Sequence, residues 1–187
     1  MHPRTQEVLE YLEATRSELG TALENIPPAR RDERPAPDRW SAAEVLDHLN
    51  IIQAQVTQLL SGRITAAKAA GLAQETETSS VLDTVDRGRI TDRSQRVTAP
   101  EFVRPQAGCD AASVWTALQQ SSANLRAAIL EGDGFALGEV LHPHPALGSI
   151  NLYQWLVFVG SHEARHTAQV REIAAAFASP RSAVVEG

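Results

Sequence analysis

Residues 151–177 read "NLYQWLVFVGSHEARHTAQVREIAAAF", and the periodicity of this run decides the fold class. Trp155, Val159, His162, His166, Val170, Ile173 and Phe177 recur at steps of three or four, the spacing that lines side chains along one stripe of an α-helix. Ser149, just upstream, is placed to act as the N-cap of this helix. The preceding "LHPHPALGS", residues 141–149, reads as a loop.

Three more stretches carry the same period. The first runs from about Thr5 to Ile26, with Val8, Leu12, Leu19, Leu23 and Ile26 inward, and "PPARRDERPAP" at 27–37 breaks it because proline lacks the helical N–H donor. The second opens in "DRWSAAEVLDHLN" at 38–50, where Ser41 and Glu44 form an S-x-x-E capping box and Trp40 and Val45 are placed as a hydrophobic staple. It is expected to reach about Gly62, with Val45, Leu49, Ile52, Val56 and Leu59 inward. The third spans about Asp110 to Glu131, with Val114, Leu118, Leu125 and Ile129 inward, and "GDG" stops it. Four long helices without a strand-like alternation predict an all-α four-helix bundle. Its connections at 27–40 and 63–109 are long, and the latter reads as an irregular excursion. A single domain over 1–187 is expected from the length.

Composition narrows the function classes. The net charge is −6 and no basic stripe is found, which argues against nucleic acid as partner. Cys109 is the single cysteine, so an internal disulfide is excluded and a reducing, cytoplasmic setting is expected. The strongest apolar run, "WLVFV", is far too short to cross a bilayer. No membrane is expected as partner.

The histidines carry the chemistry. At about 100° per residue, His162 and His166 are about 40° apart around the helix and one turn apart along it, both on the apolar stripe. His48 lies between Val45 and Ile52 on the inward face of the second helix. A buried imidazole needs a hydrogen-bond partner or a metal, and three from two facing helices suit a divalent ion bound with an open position. Zinc fits the ligand type, with nickel, iron or manganese as other candidates.

The spacing His-Glu-x-x-His at 162–166 is also that of zinc proteases. Geometry opposes that reading. Glu172, where a longer protease motif has its third ligand, lies about 80° from His162 and about 120° from His166 on a continuous helix. Gln169 also stands where such a motif turns on glycine.

"RWSAAEVLDHLN", "APEFVRPQAG" and "HPALGSINLYQWLVFVGSHEARHTAQVREI" together resemble the DinB-like family of metal-binding four-helix bundles, over nearly the whole chain. The resemblance implies a three-His divalent metal site, whose positions match His48, His162 and His166. It further implies a thiol S-transferase or related detoxification enzyme, using a low-molecular-weight thiol such as bacillithiol, mycothiol or glutathione on a small-molecule substrate, and a homodimer. Two alternatives stand beside it: a metal-dependent hydrolase of a small ester or amide, and a non-catalytic metal or small-molecule binding protein.

Glu163 points about 100° from His162 and about 60° from His166, toward a helix seam or the rim of the site. It reads as a seam carboxylate paired with a base or, as a catalytic candidate, a proton carrier. Gln169 reads as a substrate-binding or water-orienting residue or as a hydrogen-bond partner within the bundle. Arg165 is expected to be solvated or ion-paired, and Asp47 exposed. His142 and His144 read either as flanking the mouth of the site or as loop residues whose two His-Pro steps need no metal to explain them, and Cys109 reads as a small residue before the third helix.

Overall fold

The computed structural model describes residues 1–94 and 98–179. Among the described residues, five helices, α1 (Pro3–Glu24), α2 (Ala42–Ala69), α3 (Arg87–Thr91), α4 (Ala111–Glu131) and α5 (Leu152–Ala178), are joined by short 3₁₀ turns and one hairpin. The four long helices form the all-α bundle, with α2 packed chiefly on α4 and α1 chiefly on α5.

The start of α2 follows its sequence signature. Ser41 Oγ accepts from the Glu44 N–H at 3.1 Å, and Glu44 Oε2 accepts from the Ser41 N–H at 2.8 Å. Burial pushes the Glu44 carboxyl up, but hydrogen bonds from Arg34 and Ser41 outweigh it and hold the group below the ordinary carboxylate range. Trp40 packs on the apolar cluster that contains Val45. The helix runs seven residues past the expected end at Gly62, and this last part buries Ile64.

Two expectations are corrected at the other end of the bundle. Residues 141–149 are not a loop: β1 (Leu141–His144) and β2 (Gly148–Asn151) form an antiparallel hairpin, with His144 opposite Gly148. Ser149 therefore lies in β2, and the N-cap of α5 is Asn151, which shares a capping box with Gln154. Two four-residue strands are marginal by themselves. These are held by Ile150, buried in the core, and by Trp155 Nε1 donating to the His142 carbonyl at 3.3 Å.

The apolar core has two parts. One joins Leu19, Leu23, Ile26, Val45, Leu46, Leu49, Leu118, Val170 and Ile173; the other joins Val8, Val56, Leu60, Ile64, Leu125, Ile129, Leu152 and Leu156. On each long helix a polar stretch separates them. Arg16, Gln53, Ser122, Ser161 and Glu163 come from this belt, and the three candidate histidines border it.

The 63–109 excursion contains the end of α2, all of α3 and a 3₁₀ turn at Glu101–Val103. Side chains of the long helices tie it down through its backbone. Glu7 accepts from the Val81 N–H, Gln154 donates to the Thr84 carbonyl, and Asp47 accepts from the Gln106 N–H. Asp47 is thus half-buried and engaged, not exposed as expected.

Candidate metal centre

The capping box starts α2 so that His48 lies two turns in, on the face toward α5. His162 and His166 sit one turn apart on α5. Their rings meet those of His48, with centroids 5.2 Å and 4.8 Å away. One ligand nitrogen from each of the three lies within 4.8 Å of the others, and among the described residues this is the one group of three such side chains placed to hold a metal ion. Nε2 of His162 and Nε2 of His166 are 3.2 Å apart. Two nitrogens on a tetrahedral zinc at about 2.0–2.1 Å stand roughly 3.3 Å from each other, so this pair already has the span of adjacent ligands.

The outer nitrogens of two rings are engaged. His48 Nδ1 lies 2.6 Å from the Val103 carbonyl, which can only accept, so the proton is on Nδ1 and the Nε2 lone pair is free. His166 Nδ1 lies 2.8 Å from Gln169 Oε1, and the same logic leaves its Nε2 as the bare nitrogen. Ligating histidines characteristically donate their other ring N–H to a carbonyl or carboxylate in this way. The structure thus brings Gln169 to the outer side of His166.

Burial keeps all three rings neutral, the protonation state that binds a metal. It pushes His162 down to about 3, helped by the neighbouring His48, Arg165 and His144. His166 is held well below its ordinary value by burial, then by His162 and His48. For His48 burial also wins, against an opposing contribution from the Val103 carbonyl. His48 and His166 are only 4% and 6% exposed, whereas His162 keeps partial contact with solvent, so the site opens on the His162 side.

Aromatic rings flank the three. Trp40 lies nearly parallel to His166, 19° between planes with centroids 6.4 Å apart, and 5.1 Å from His48. Phe158 lies 5.4 Å from His162. His144, buried on β1, meets Phe158 at 4.3 Å and Trp155 at 4.7 Å, and its Nδ1 accepts from the Ala146 and Leu147 N–H groups. His142 is half-buried beside Trp155.

Glu163 turns the other way, into the α1–α5 seam. Its Oε1 accepts from Arg16 Nε at 3.0 Å and its Oε2 from Arg16 Nη2 at 2.6 Å, and Arg16 Nη2 also donates to Gln53. Burial raises the carboxyl and Arg16 opposes that rise. Arg165 donates to the backbone carbonyls of Ile90 and Asp92. Cys109 is half-buried, with its thiol pushed up by burial and by Asp47.

Four participants escaped the sequence reading: Val103, Phe158, Arg16 and the ring-stacking role of Trp40. Arg16 left a signal, because it fills the gap between Leu12 and Leu19 on the inward stripe of α1. Val103 left none, since a backbone carbonyl has no residue signature.

The profile of the DinB superfamily matches residues 11–170, a span that takes in both helices of the site. The chain belongs to the DinB superfamily. An uncharacterised relative of this DinB protein, YuaE of Bacillus subtilis (strain 168), is 28% identical over 161 residues, which cover 84% of this chain and 91% of YuaE. No solved structure matches. No helix among the described residues is long and apolar enough to cross a membrane.

Proposed function

We propose that this DinB protein is a metal-dependent enzyme acting on a small molecule, with His48, His162 and His166 as the ligands of one divalent ion. Thiol S-transfer is the reaction class we favour. The observation that carries the metal reading is the convergence of three neutral imidazoles, two buried and one half-buried, with the outer nitrogens of His48 and His166 already engaged by Val103 and Gln169. The donor set suits zinc, and nickel, iron(II) or manganese next. Bound there, such an ion supplies Lewis acidity and lowers the pKa of a coordinated thiol.

The chain's own residues have defined parts. His48, His162 and His166 add no negative charge, so the full positive charge of the ion is kept for its further ligand. Val103 and Gln169 fix ring orientation. Trp40 covers the His48–His166 side and leaves approach from the side of His162. The engagement of both Glu163 oxygens by Arg16 favours S-transfer, which asks for no carboxylate base, over hydrolysis with Glu163 as proton carrier.

The test uses tag-free protein and elemental analysis of wild type, His48→Ala and His162→Ala. Near-stoichiometric metal in the wild type, lost in both variants, is the expected result. Metal retained by His48→Ala would end the reading. Turnover of chlorodinitrobenzene is then compared across bacillithiol, mycothiol and glutathione. Metal-dependent conjugation with one of them supports transfer; none with any thiol favours a binding protein.

A further inference from the structure

A row of aromatic rings stands on the open side of the site. His162 is the histidine of the three that touches solvent, and the side chain beside it, one turn back on α5, is the half-buried Phe158. The two ring planes are inclined by 30°, close to parallel. Phe158 is held in place by His144 edge-on at 4.3 Å and by Trp155 at 6.1 Å and 82°. His144 is fixed in turn, because two hairpin N–H groups donate to its Nδ1. Phe158 thus offers a fixed ring, partly open to solvent, directly beside the candidate metal centre.

Of the charged neighbours, Glu163 is paired with Arg16 and Arg93 with Glu172, while Arg165 donates to the Ile90 and Asp92 carbonyls and keeps its positive charge near His162. Among the described residues, the rings packed on His162 are those of His48, His166 and Phe158, and the Phe158 ring suits a flat apolar group.

We propose that the small molecule taken at this site carries an aryl group, seated on Phe158 next to the atom that reaches the three histidines. This rests on the metal reading above and deepens it by naming the ligand class. Phe158 acts as the specificity-determining residue. His144 is a positioning residue, holding the Phe158 ring from behind.

The experiment uses protein loaded with cobalt(II) and titrated with acetohydroxamate and with benzohydroxamate, which share a chelating head and differ by methyl against phenyl. Binding is read from the visible absorption of the cobalt. Stacking and burial of one aryl ring are worth about tenfold in affinity, so benzohydroxamate is expected to bind about tenfold more tightly to the wild type. In Phe158→Ala the ratio should fall to within about twofold. Phe158→Tyr, which keeps the ring, should keep the ratio. Equal affinities in the wild type, or an undiminished ratio in Phe158→Ala, would overturn the proposal while leaving the metal reading intact. Cobalt that fails to bind, or binds equally to His48→Ala, would remove the metal reading and this inference with it.

Discussion

Gln169 stands one turn beyond His166, and its Oε1 accepts from the ring at 2.8 Å. Losing such an outer partner typically costs about 10–100-fold in metal affinity, because the ring loses both orientation and basicity. Gln169→Leu is therefore expected to weaken zinc binding by that factor, while Gln169→Glu, which keeps an acceptor, loses far less. Competition against a chromophoric chelator measures both. Equal affinities for Leu and wild type would show the hydrogen bond to be incidental. At this scale the three histidines were legible because a helix repeats every 3.6 residues, so spacing alone puts them on inward faces. The partner of His48 was not legible. Val103 is 55 residues away, reached through a 3₁₀ turn between two prolines.

At the scale of elements, the α1–α5 seam combines a close approach with a buried ion pair. Gly160 lies against the Tyr11 ring, where a Cβ would collide. Beside it Ser161 Oγ donates to the Val157 carbonyl, so Tyr11 is the donor in its 3.0 Å contact with Ser161. One turn around α5, Arg16 and Glu163 pair with side chains only 13% and 5% exposed. Removing one member of a buried pair leaves the other charge unpaired and typically costs about 3–5 kcal/mol. Arg16→Met or Glu163→Leu alone should destabilise the fold by about that amount, and the double substitution by clearly less than the sum. Urea denaturation of the four proteins closes the cycle. Additive losses would mean that the two side chains act independently. Cap chemistry is smaller: Ser41→Ala should cost about 1 kcal/mol in the same measurement. The four long helices were readable because each carries an apolar stripe. The hairpin was not, since "LHPHPALGS" has no alternation to read and its strands are held by contacts with α5 rather than by their own pattern. The 63–109 excursion was opaque for a related reason: side-chain bonds to its backbone, such as Glu7 to Val81, leave no periodic trace.

For the whole molecule, the histidines bordering the polar belt are expected to make stability depend on pH and, on the proposed metal reading, on metal as well. Unfolded, the three histidines titrate near 6.5; folded, burial lowers all three, His162 to about 3. Between those values the unfolded chain binds more protons than the folded one. Stability therefore rises with pH through this window and is lost as pH falls below about 6.5. Metal-free protein should show a lower Tm at pH 5.5 than at pH 7.5. If the proposed centre binds zinc, the ion should add stability according to its concentration over its dissociation constant, provided the rings stay neutral. Because folded His162 remains neutral well below 5.5, the increment in Tm from saturating zinc should be largely retained there. Solvent-exposed histidines would behave in the opposite way, with a flat metal-free Tm and a zinc increment that collapses on acidification. Thermal scans at the two pH values, with and without zinc, separate these cases, and His162→Ala should reduce both the slope with pH and the zinc increment if the buried cluster is their common source.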